Sequence, residues 1–243
     1  MTTPLEPTIF NISDFLEFVK LIAFFKPNKG FGWIFRGQAN EEWILVPKAG
    51  RKEYYIKEKK PRSLDRDLGR FNDWKLHAVA FSDIPENEIE ALALAQHHGL
   101  ATRLLDWTLN PLIALYFAIN EQPDSNGAVY CYYPISYLNM FSPSHLTDGI
   151  AVYIPRSINS RIINQSGVFT YHASPPVPLT IDLLPKSSHP NLAKIIIPHS
   201  IKKDLLTNLD VFNINTSFLF PDLNGLSQYI NWTTTQIKGS KKT

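Results

Sequence analysis

The decisive stretch of this chain is Gln96-His97-His98-Gly99-Leu100-Ala101-Thr102-Arg103-Leu104-Leu105-Asp106-Trp107-Thr108, followed at once by Asn110-Pro111-Leu112-Ile113-Ala114-Leu115-Tyr116-Phe117-Ala118. It reads as a helix end, a strand and a helix start. Gly99 is a natural stop for a helix opened at Pro85-Glu86-Asn87 and carried by Ile89, Leu92, Ala93, Leu94 and Ala95. Residues 102–107 read as a strand. Asn110 with Pro111 starts a helix to Asn120, because proline fits the first helical turn. Two histidines, an arginine, an aspartate and a tryptophan crowd this short run, more polar and planar groups than a purely structural segment needs. Upstream, Trp33-Ile34-Phe35-Arg36-Gly37-Gln38 is built alike, with an arginine closing an apolar strand and then a glycine.

Asn11 or Ser13 can cap a helix on Ile12, Phe15, Phe18, Val19, Leu21 and Ile22, which Pro27-Asn28-Lys29-Gly30 ends. Residues 31–36 read as a strand and 43–46 as a short extended piece. Ser63 to about Phe81 is helical on Leu64, Leu68, Phe71, Leu76 and Val79. Asp124-Ser125-Asn126-Gly127 turns into a strand over 128–133. Beyond Pro134 the elements shorten: strands at 150–154, 167–172 and 193–197, a helical turn near 157–164, and a Pro-rich link at 175–185. A helix over 201–209 follows, capped by Ser200, and then a closing helix to Ile237. With no internal repeat and no linker, the expectation is one α+β domain over 1–243, with helices mainly in its first half. A helical extension over 1–30 and a basic tail over 238–243 flank it.

With 243 residues, 44% hydrophobic and 19% charged, the chain can bury a substantial core and is not generally disordered. Its net charge of +2 is compatible with an anionic ligand or nucleic acid but implies neither. A single cysteine, Cys131, excludes an internal disulfide and a cysteine-based zinc cage. No secretory signal opens the sequence, and no window reaches about 18 apolar residues, so no membrane helix is expected. The expected location is the cytoplasm.

Familiar catalytic templates fail. The glycines of a dinucleotide fingerprint or phosphate loop are absent, and so is a nucleophile elbow. His97 and His98 are adjacent, about 100° apart on a helix, so they cannot chelate one metal, and no metal site is expected. Arg36 reads either as a strand-edge arginine paired to a carboxylate or as a guanidinium fork for phosphate, with Gly37 letting the ligand approach the backbone. Arg103 and Asp106 read either as a buried ion pair or as groups on opposite faces of the strand. Trp107 is core or stacking platform. The run from Arg51 to Arg62, with Lys52, Lys57, Lys59 and Lys60 among tyrosines, is a solvated face or a nucleic-acid patch.

Phe35-Arg36-Gly37, the stretch 96–108, Ala114–Ala118 and Leu219-Phe220-Pro221-Asp222-Leu223-Asn224-Gly225-Leu226 together resemble the bacterial FRG-domain family, over about residues 30–230. That family's layout is similar to the ADP-ribosyltransferase superfamily. The resemblance implies a split β-sandwich core with added N-terminal and peripheral helices, and NAD as substrate. It gives catalytic roles to Arg36, Thr102, Asp106 and Gln165. The NAD-binding set becomes Phe35, Arg36, Gly37, Gln38, His97, His98, Arg103, Trp107 and Phe169. Gly167 stands where the superfamily's catalytic glutamate is expected, so Asp106 or another acid, Asp222 next, must face the ribose if NAD is turned over. Such an enzyme would act as a bacterial toxin or anti-phage effector on RNA or DNA in preference to protein, with a neutralising antitoxin as a further partner. Two alternatives are a binding module for NAD, ADP-ribose or nucleic acid without turnover, and an RNA phosphotransferase or nuclease using His97, His98 and Arg103.

Overall fold

The computed structural model describes residues 8–25, 32–54, 66–134, 136–138, 149–156, 160–181 and 191–240. A seven-stranded mixed sheet carries the architecture. Its strands are β1 (Thr8–Asn11), β2 (Ile34–Gln38), β3 (Leu104–Thr108), β4 (Gly127–Tyr132), β5 (Ile150–Tyr153), β6 (Gly167–His172) and β7 (Leu192–Ile197). Their spatial order is β1-β7-β4-β2-β3-β6-β5, with β1 parallel to β7 and the other pairs antiparallel. Among the described residues the helices are α1 (Phe15–Ile22), α2 (Arg66–Ala78), α3 (Glu88–His97), α4 (Pro111–Ile119), α5 (Ser160–Asn164), α6 (Lys202–Val211), α7 (Thr216–Leu219) and α8 (Leu223–Ser240). None is long and apolar enough to cross a membrane.

The register explains where a ligand can enter. β2 pairs with β4 along its whole length, from Ile34 opposite Tyr132 to Gln38 opposite Ala128. β3 pairs with β6 as fully, from Leu104 opposite Tyr171 to Thr108 opposite Gly167. Between β2 and β3 the only pair in register is Phe35 with Thr108. Beyond that seam the two strands part, leaving the ends of β2 and β3 facing a gap.

Helix α4 is apolar on all sides because it is buried on all sides; Asn110 caps it through Leu112 N at 2.9 Å. It lies so close to the sheet that a Cβ on Gly37 would stand 1.9 Å from the Ala114 carbonyl oxygen, and one on Gly127 2.1 Å from that of Ala118. Phe35, Leu115, Val129 and Ile195 form the core on this face, while Ile34, Leu105, Trp107 and Tyr132 form another on the opposite face. A third joins Phe71 of α2 and Leu92 of α3 to Leu104 and Phe169. Each large apolar side chain so buried contributes about 1.5–3 kcal/mol.

Several expectations need correction. Residues 8–11, read as part of a helical extension, form the edge strand β1 paired with β7. Asp14, not Asn11 or Ser13, caps α1, accepting from Glu17 N at 2.8 Å. Residues 43–46 form no strand. Ser200 does not cap the helix after it; a short 3-10 turn over His199–Ile201 leads into α6. Helices are not concentrated in the first half, since α5 to α8 all follow residue 159, and α8 extends through 238–240, expected as tail. Lys57, Lys59, Lys60 and Arg62, the start of the helix expected from Ser63, residues 157–159 and 182–185, and the tail beyond 240 lie outside the described residues.

Candidate functional site

A cleft of about 420 Å³ opens where β2 and β3 part. Its walls are the end of β2, strands β3 and β6, the C-terminal end of α3, the segment around Lys48 and Arg51, and helix α5 with Phe220. Alternation along β3 sends Leu105 and Trp107 into the core and Asp106 to the cleft. The Asp106 side chain is 66% exposed and that of Arg36 only 14%.

Arg36 Nη1 donates to the Asp106 carbonyl oxygen at 2.7 Å and stands 4.0 Å from Asp106 Oδ2, while its Nε is buried with no partner among the described residues. Burial lowers the Arg36 pKa and the Asp106 charge opposes that shift; a guanidinium keeps its proton regardless. Gln96 Nε2 donates to Asp106 Oδ1 at 2.7 Å, and Thr102 Oγ1 donates to Gln96 Oε1. Thr102 therefore does not line the cleft; it reaches Asp106 through Gln96.

Lys48, Arg51 and Arg161 add positive charge to the walls, against the carboxylates of Asp106 and Glu121. Lys48 Nζ donates to Gly99 O at 3.0 Å, and the Arg161 guanidinium lies 4.5 Å from the centre of the Phe220 ring. Burial, then the charges of Arg161 and His98, hold the His97 pKa below the ordinary imidazole value. A cleft with this balance favours an anionic ligand. Among the described residues no group of three or more His, Cys, Asp or Glu is placed to hold a metal ion.

Gln165 and Phe169 also line the cleft. Gln165 is tethered: its Nε2 donates to Leu219 O at 3.0 Å, and its carbonyl accepts from Thr108 Oγ1 at 2.7 Å. At Gly167 a Cβ would meet nothing nearer than 3.6 Å, so neither space nor backbone demands a glycine there.

Arg103, His98 and Asp222 sit elsewhere, and Phe35, Gly37 and Trp107, although on the cleft wall, are taken up by packing. Arg103 is 4% exposed and pairs with Asp67 of α2 through Nε and Nη2 at 2.7 and 2.8 Å, so of the two readings of Arg103 and Asp106 the ion pair does not hold. His98 faces a second hollow, between α2 and α3, lined by Trp74 and Phe81. The His97 and His98 rings stand 5.1 Å apart, edge to face, while Arg103 is held at Asp67. The Trp107 ring is buried, its Nε1 donating to Thr170 Oγ1 at 2.9 Å, and the Phe35 ring is buried in the α4 face. Neither ring is free to stack on a ligand. The missing side chain at Gly37 makes room for α4, not for a ligand. Asp222 caps α8, accepting from Gly225 N at 2.8 Å, and is absent from the cleft walls.

Sequence reasoning missed Arg161, Phe220 and Lys48, because each arrives from a distant segment. The closing motif held a signal for Phe220: a Cβ on Gly225 would stand 2.0 Å from the Phe220 carbonyl oxygen, so that glycine sets where Phe220 sits. Lys202 gave no signal. It is buried, and its Nζ donates to Ala39 O, Glu121 O and Gln122 O at 2.8, 3.1 and 2.9 Å, tying the end of β2 to the turn after α4.

Residues 32–127 match the family model of the FRG domain. Over that span the chain is similar to the FRG domain. The matched segment runs from just before β2 to the first residue of β4, so it contains Arg36, Gln96, Thr102 and Asp106. The α5 and β6 walls of the cleft lie beyond it. No curated protein and no solved structure matches the chain.

Proposed function

We propose that the cleft binds NAD and that the protein transfers ADP-ribose from it to a macromolecule. The observation that carries this reading is the juxtaposition of Arg36, mostly buried and with an unused N–H, and Asp106, exposed and 4.0 Å away. A fixed guanidinium suits the pyrophosphate. A carboxylate beside it suits the positive charge that grows on the ribose as the bond from C1′ to the nicotinamide nitrogen breaks. One such preorganised contact is worth about 3 kcal/mol of barrier.

In this scheme Thr102 and Gln96 orient Asp106, and nicotinamide leaves with the bonding electron pair. An acceptor oxygen or nitrogen bonds C1′, and its proton passes to His97, whose lowered pKa keeps it neutral at pH 7. The single-pair seam between the two halves of the sheet supports the split β-sandwich that the family resemblance implies. Arg51 and Lys52, exposed beside the cleft, favour RNA or DNA as acceptor. A toxin or anti-phage role in the bacterial cytoplasm, checked by an antitoxin, belongs to the same proposal.

Incubation with labelled NAD and cell lysate should label a macromolecule, and Arg36→Lys, which keeps the charge but not the fork, should remove most of the label. No label with either protein would refute transfer. Gly167 favours a second reading, a module that binds NAD or ADP-ribose without turnover. Calorimetric binding with no nicotinamide released would select it.

A further inference from the structure

We propose that Gln38 and Arg36 form a recognition subsite for a planar group presenting an N–H beside a hydrogen-bond acceptor, as a carboxamide or the amino edge of adenine does. The proposal rests on the reading of the cleft as a nucleotide site and adds a specificity determinant to it. Positions 36 and 38 are two apart on β2, so their side chains leave the same face of the strand, and both residues line the cleft. Gln38 is 4% exposed, and its Oε1 is buried with no partner; Arg36 Nε is buried with none either, among the described residues.

Buried polar atoms without partners are uncommon in folded proteins. Here two stand on neighbouring side chains and are of opposite kind, one acceptor and one donor. Their neighbours do not serve them. Arg36 sits opposite Tyr130, whose hydroxyl is directed at Trp43 O, and Gln38 sits opposite Ala128. The Arg36 fork is anchored through Nη1 to Asp106 O, and Nε is its one buried nitrogen without a partner among the described residues. Rotation about the soft terminal torsion of Gln38 exchanges its oxygen and nitrogen, so Oε1 can turn toward a ligand. An edge that gives an N–H to Gln38 Oε1 and accepts from Arg36 Nε satisfies both atoms. A carboxylate in place of the amide sets oxygen against oxygen at Gln38, and a hydrogen in place of the adenine amine leaves Oε1 unmet.

The test is equilibrium binding of NAD, of its nicotinic acid form (amide replaced by carboxylate), of its purine form (adenine amine replaced by hydrogen) and of ADP-ribose. The expected result is that the wild-type protein binds NAD about tenfold tighter than one of the two altered dinucleotides, the loss typical of an unmet buried hydrogen bond. Which of the two loses affinity identifies the edge that is read. Gln38→Leu should bring NAD and that analogue within about twofold. Gln38→Glu, nearly isosteric and still an acceptor, should keep the preference, and it covers the case in which the leucine variant does not fold. Binding of all three dinucleotides within twofold by the wild type, or a preference that survives in Gln38→Leu, would overturn the subsite alone. If neither the dinucleotides nor ADP-ribose bind, the nucleotide reading itself falls.

Discussion

Replacing Asp67 by asparagine should be among the most damaging single polar changes in the molecule, although it lies outside the cleft. Arg103 and Asp67 are each 4% exposed at the side chain and joined by two hydrogen bonds at 2.7 and 2.8 Å. Arg103 also donates to the Tyr171 hydroxyl at 3.1 Å, which cannot replace a countercharge. Removing one partner of such a pair strands a buried charge, at a cost of about 3–5 kcal/mol. At roughly 2–4 °C per kcal/mol for a chain of this size, melting should fall by about 6–20 °C. Asp106→Asn is the control. That side chain is mostly exposed, its nearest cation is 4.0 Å away, and asparagine still offers Gln96 an acceptor. Its cost should stay below about 1 kcal/mol, or about 4 °C. Thermal melts of both variants decide the matter. A fall in Asp67→Asn no larger than that in Asp106→Asn would mean that Asp67 is not the countercharge that Arg103 needs.

Burial holds the His172 pKa down at about 4, with the Arg36 charge acting the same way. The unfolded chain therefore binds this proton first, and about 3 kcal/mol of stability, full above pH 6.5, should drain away toward pH 4. Melts across that range in His172→Gln, which lacks the titrating group, should show a correspondingly flatter slope, and identical slopes would refute the assignment. Gly37→Ala should cost about 2–3 kcal/mol in denaturant titration, because its Cβ meets α4 backbone that cannot step aside. Gly69→Ala, on α2 with nothing within 4 Å, should instead stabilise by up to about 1 kcal/mol. Gly167→Glu should fold normally and, if the binding-module reading holds for the present chain, raise nicotinamide release. A large loss in melting temperature would show that the open space at that position is not usable.

What was legible in the sequence was local. The Asn110 cap with Pro111, the Gly99 stop and the β6 span follow from caps and period, which operate within a few residues, and they lie where the pattern put them. Arg36 and Asp106 could be nominated because each interrupts an apolar strand. Partners could not, since they depend on which strands become neighbours. Asp67 lies 36 positions from Arg103, and no spacing rule links them. Strand β1 escaped notice because four residues on a sheet edge, mostly exposed, carry little hydrophobic pattern. Gly37 was read for the wrong reason: a glycine after an arginine suggests ligand approach, but only the position of α4 shows which side of the strand needs the room.

The most direct test of the central claim is nicotinamide release from NAD by the purified protein, with Asp106→Asn beside it at equal folded concentration. The wild type is expected to release nicotinamide. The variant is expected to bind NAD within a few-fold of wild type and to release at least about 100-fold less, the scale of one lost electrostatic stabiliser. A wild-type protein that neither binds NAD nor releases nicotinamide, or a variant that releases it as fast as wild type, would contradict the assignment of Arg36 and Asp106 as the working centre of the cleft.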